Sequence, residues 1–160
     1  MTSKSSFTEE EWARVCRAPF VAGMAISIAD PGGPIEVAKE TMASIRAATD
    51  PPGNEELLQA IAADIKDLVQ RRQNPLGGFK PTRGALAGQE ILDELAAVGG
   101  IVSAKAEPDE AAAFNRWLVA AAQAAADAAK EGGFMGFGAE QVSAGEKAML
   151  QRVESSLGAS

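Results

Sequence analysis

Carboxylates recur four residues apart at Glu36 and Glu40 and again at Glu90 and Glu94, with Asp93 beside the second pair. On a helix that spacing sets each pair on one face. Two such carboxylates could grip a hard cation such as magnesium, calcium or manganese, or share acid and base work if burial split their pKa values. Di-metal bundles normally add Glu-x-x-His, and this chain has no histidine. The expectation is therefore a solvated acidic face, with no metal, no cofactor and no catalytic residue assigned.

Cys16 stands between Arg14 and Arg17, and flanking cations can depress a thiol pKa. It also shares the apolar stripe of Trp12 and Val15, which favours a buried small hydrophobe. The stretch EGGFMGFGAE at 131–140 has the G-x-x-x-x-G spacing of a phosphate loop from Gly133 to Gly138, but Ala139 and Glu140 occupy the positions where Lys and Ser or Thr would be needed. A carboxylate there repels phosphate. The expectation is a glycine C-cap, with Phe134, Met135 and Phe137 plugging the end of a bundle.

The charge distribution is more suggestive. Between residues 68 and 89 there is no Asp or Glu, while Arg71, Arg72, Lys80 and Arg83 are all basic, so a net charge of −7 for the whole chain becomes −11 for the remainder. The same Gly- and Pro-rich connection carries Leu76 and Phe79. Cations beside apolar side chains suit a protein-docking tip or an anion-binding spot. Arg71, Arg72, Phe79, Lys80 and Arg83 are the candidate site; the competing reading has Phe79 buried and the cations paired with acidic helices nearby.

Composition limits the remaining possibilities. Without histidine, Ser-His-Asp and Cys-His machinery is excluded, as are zinc sites built on several Cys and His. The acidic balance disfavours nucleic acid and anionic lipid. A single cysteine, an acidic opening and no apolar run of about 20 residues point to a cytoplasmic chain rather than a secreted or membrane-spanning one.

The elements that would position these residues are helices. Thr8 opens a T-x-x-E capping box with Glu11, with Phe7 and Trp12 as its hydrophobic staple; Pro19 should kink this helix or start another. Stripes follow at Ile35, Ala38, Met42 and Ile45, at Leu58, Ile61, Ile65 and Leu68, and at Gly88, Ile91, Leu95 and Val98, the last with Thr82 as N-cap and an end at Gly99 and Gly100. IVSA at 101–104 is the one strand-like run. Pro108 opens the longest helix, to about Lys130, whose polar residues Asp109, Arg116, Gln123, Asp127 and Lys130 fall on one line. Ser143 and Glu146 form a second capping box before Met149, Leu150, Val153 and Leu157. GGF recurs at 77–79 and 132–134, a weak echo of duplication.

These signals predict one all-α domain over 1–160, an irregular helical bundle of five to seven helices around a long Ala-rich central helix, with 1–7 as a flexible tail. The function expected is that of a small cytoplasmic interaction or regulatory protein, non-catalytic, taking a protein partner through the basic loop. A carboxylate-based metal- or small-ligand-binding bundle, an enzyme included, is the alternative, and homo-oligomerisation is left open.

Overall fold

A computed structural model describes residues 2–29, 34–82, 86–130 and 144–158. They form a 3-10 turn, Lys4–Ser6, and six α-helices: α1 Glu9–Ala29, α2 Pro34–Thr49, α3 Glu56–Gln70, α4 Ala87–Lys105, α5 Pro108–Lys130 and α6 Ala144–Ser156, with no strand among the described residues. The all-α helical bundle expected from periodicity is what the chain forms.

The first helix starts as its capping signature dictates. The Thr8 N–H donates to Glu11 Oε2 at 2.8 Å, the Glu11 N–H returns to Thr8 Oγ1 at 3.1 Å, and the Phe7 and Trp12 rings lie 5.5 Å apart. Pro19 does not divide this helix. It lies buried inside one continuous α1, and since α1 touches all five other helices, packing outweighs the backbone hydrogen bond that proline forgoes. The Ala-rich α5 also touches every other helix. The core is thus organised on the α1–α5 pair, with Val15, Val21, Ala25, Phe114, Leu118, Ala121 and Ala122 all fully covered. Alanine on both helices lets their backbones approach. The Trp117 indole N–H donates to the Ala47 carbonyl at 2.7 Å and so fastens α5 to α2.

Two helix-boundary expectations are corrected. Gly99 and Gly100 do not end α4, which runs on through Ile101–Ala104 to Lys105; a Cβ on Gly99 would sit 3.4 Å from Leu157 Cδ2, so this glycine makes room for the segment after α6 instead of capping. Thr82 is not the N-cap, a position held by Leu86, and its N–H and hydroxyl both donate to the Glu90 carboxylate. The segment before α1, expected as a tail, is anchored at Thr2 and Phe7, while Ser3 to Ser6 are exposed. Phe7 is in the core, Thr2 is buried with its N–H on Glu110 Oε1 at 3.2 Å, and Lys105 bonds Ser6 O and the Glu11 carboxylate.

Candidate functional site

The basic connection begins at the end of α3, which closes in a Schellman motif: the Arg72 N–H donates to the Val69 carbonyl and the Gln73 N–H to the Leu68 carbonyl, both at 3.0 Å. The residue between these bonds must be left-handed, a conformation favouring glycine. Here it is Arg72, at φ 55°. The chain then folds on itself, with Asn74 Oδ1 accepting the Leu76 N–H, the Asn74 carbonyl accepting the Gly77 N–H at 3.1 Å, and the Leu76 carbonyl accepting the Phe79 N–H at 3.1 Å.

These turns send the loop's apolar residues inward. Leu76 and Phe79 are half-buried against the core, and the Arg17 guanidinium carbon lies 5.3 Å from the Phe79 ring centroid, a cation–π contact. Phe79 therefore anchors the loop from within. The cations face outward: Arg71, Arg72 and Lys80 are exposed, and Arg71 pairs at 3.0 Å with Asp67 on its own helix, both side chains more than half exposed. Arg83 lies outside the described residues, as does the whole 131–140 stretch.

Beneath the loop lies a charge cluster that sequence spacing does not reveal. Glu94 receives Arg14 through two bonds, Nε to Oε1 at 3.1 Å and Nη2 to Oε2 at 2.9 Å, and Arg17 Nη2 to Oε1 at 2.8 Å. Its side chain is only 11% exposed. Burial pushes the Glu94 carboxyl pKa up, but the hydrogen bonds and charge of Arg14 and Arg17 together outweigh it and hold the group below its ordinary value. Glu10 also lies close enough to Arg14 to favour its charged form, whereas Arg17 Nε is buried without a hydrogen-bond partner. The only hint in the sequence is the three-residue spacing of Arg14 and Arg17 on one helix face.

Between α1, α3 and the loop runs a groove of about 500 Å³, lined along α1 by Glu9, Trp12, Cys16 and Arg17, on α3 by Asp64 and Asp67, and closed by Asn74 to Gly78 with Lys4 at its mouth. The Asp64 carboxylate accepts the Trp12 indole N–H at 2.8 Å and the Lys4 ammonium at 2.7 Å. Burial works against its charged form, yet these two donors keep its pKa below the ordinary value. Cys16 is a buried free thiol, as expected of a small hydrophobe, and burial pushes its pKa up to about 12.

The carboxylate pairs do not form a solvated acidic face. Glu94 is held by two arginines, Glu90 by Thr82, and Glu40 is buried and accepts the Ser27 hydroxyl; the Glu36 side chain lies outside the described residues. Among those residues no three His, Cys, Asp or Glu side chains gather as a metal-holding group. A larger hollow of about 910 Å³ lies between α2 and the second half of α5. No helix of the described residues is long and apolar enough to cross a membrane.

The fold and groove thus define an all-α bundle carrying a basic loop beside a polar cleft. Comparison of the chain with protein-family models, with curated proteins and with solved structures finds no match.

Proposed function

We propose that this protein is a small non-catalytic interaction module, acting in the cytoplasm, that docks an acidic segment of a partner protein through the basic loop, with Arg71, Arg72, Lys80 and Arg83 steering the encounter and Phe79 holding the loop in place. The observation that carries the reading is Arg72. A non-glycine residue in the left-handed region is strained by about 1 kcal/mol or more, and its side chain is exposed, with no ion pair among the described residues to offset that strain. Keeping a guanidinium there at a cost in stability fits a residue retained for contact rather than for folding.

The test separates stability from binding. Arg72→Gly should raise stability by up to about 1 kcal/mol, because glycine adopts this φ freely, while weakening capture of the partner identified by pull-down from the native host. Reversing Arg71, Arg72 and Lys80 to Glu should leave the helical circular dichroism intact and abolish that capture, with a steep salt dependence in the wild type. Undiminished, salt-independent capture by the reversed variant would remove the loop from the docking surface.

A further inference from the structure

The groove beside the loop is electrically polarised along its length. At one end the Lys4 ammonium serves two carboxylates: Asp64, bonded at 2.7 Å, and Glu9, near enough to help hold Lys4 protonated. That end carries one negative charge in excess. At the other end the groove is lined by Arg17, which shares the Glu94 carboxylate with Arg14, itself also close to Glu10, and Arg17 Nε is buried without an acceptor. Glu9 and Arg17 both line the groove from α1, eight residues apart, or about 12 Å at the rise of a helix. Between them Trp12, Ala13 and Cys16 form the floor. An unpaired buried donor favours an occupant that supplies the missing acceptor.

We propose that this groove seats an extended, dipolar peptide segment of a partner protein, with a carboxylate side chain at Arg17, a cationic side chain near Glu9, and small apolar residues between them over Trp12. The match is one of charge and length: about four residues of extended chain span 12 Å at 3.3 Å each. The anionic end of the segment falls where Arg17 stacks on Phe79, next to Lys80, so the inference rests on the docking reading above and supplies the polarity and spacing that the reading lacks. A uniformly acidic segment would meet Glu9 and Asp64 unfavourably, and a uniformly basic one would meet Arg17 unfavourably.

Four capped six-residue probe peptides test this. Each has Leu and Ala between two charged positions four residues apart: Lys and Glu, Glu and Glu, Lys and Lys, or Gln and Gln. In the full-length 15N-labelled protein Trp12 and Trp117 give two indole signals, and only the Trp12 indole lines the groove. The Lys–Glu probe should move the Trp12 signal, leave Trp117 in place, and bind about three- to tenfold tighter than each of the others, the range for two partly shielded ion pairs. Glu9 is exposed, so Glu9→Lys leaves the core untouched, and it should switch the preference to the Glu–Glu probe. Equal binding of all four probes, no movement of Trp12 up to about 5 mM probe, or an unaltered ranking in Glu9→Lys would overturn the proposal. The two readings fail separately. If the natural partner binds independently of Arg71, Arg72 and Lys80 while the probes rank as stated, the loop's role falls and the groove stands. If the partner needs those cations while the probes rank alike, the groove's polarity falls and the loop stands.

Discussion

Replacing Glu94 by glutamine keeps the shape of the side chain and removes its charge, leaving Arg14 and Arg17 without the carboxylate they both bond. The cost lies between two limits. An exposed ion pair contributes about 0.2–1 kcal/mol, whereas removing one partner of a buried pair costs about 3–5 kcal/mol because the remaining charge is stranded. Glu94 is 11% exposed and its arginines 28% and 18%, and three charge-assisted hydrogen bonds depend on it. Glu94→Gln should therefore cost about 2–4 kcal/mol at pH 7, or a fall in Tm of about 5–15 °C for a chain of this length. Urea unfolding followed by circular dichroism at 222 nm measures it directly. The pH dependence carries a sign as well. The folded-state pKa of Glu94 is depressed, so its stabilisation is fully present above the unfolded value near 4.3 and is lost as pH falls through the folded value. The gap between wild type and variant should close in acid. A cost below about 0.5 kcal/mol at pH 7, or a gap that does not close in acid, would mean that Glu94 is solvated after all and that its two arginines do not depend on it.

Other outcomes follow from single contacts. A Cβ on Gly23 would lie 2.3 Å from Ser44 Oγ and 3.2 Å from Ser44 Cβ, so Gly23→Ala should destabilise the α1–α2 contact by about 1–3 kcal/mol, exceeding alanine's helix advantage of about 1 kcal/mol. Ser44→Gly should recover most of that loss in a double-mutant cycle, and a Gly23→Ala variant that melts higher than wild type would refute the close approach. Cys16, with its pKa pushed up to about 12, should resist iodoacetamide at pH 8 and react at the rate of unfolding; fast labelling of the folded protein would contradict its burial. Because that folded pKa is raised, the thiol's contribution is present below about pH 9 and is lost as pH rises toward 12.

Local chemistry in the sequence determined a good deal of this molecule. The Thr8–Glu11 box and the Phe7–Trp12 staple involve residues three and five positions apart, so the forces that set them act within the first two turns and can be read without the fold. The same holds for the apolar stripe of α3, for the exposure of Asp109, Arg116, Gln123 and Asp127 along α5, for the burial of Cys16 and for the excess of positive charge between residues 68 and 89. Whatever depended on competition between local preference and packing was not legible. Pro19 and Gly99 are helix breakers by propensity, yet each lies buried inside a helix, because packing against neighbouring helices outweighs the propensity of single residues, and the exposed Gly100 is carried along in the same helix as Gly99.

The groove belongs wholly to the tertiary structure. Glu94 meets Arg14 and Arg17 across 80 and 77 positions, and Lys4 meets Asp64 across 60. Nothing in the spacing of Glu90 and Glu94 distinguishes a carboxylate turned to water from one gripped by two arginines. Phe79 shows the same division. Its place in a basic, glycine-rich loop marked it as a docking residue, but a backbone reversed by the left-handed Arg72 and Gly77 turns the ring onto the core and under Arg17. Charge sign and helix faces are properties of neighbouring residues along the chain. Which charges find a partner depends on residues that only the folded bundle brings together.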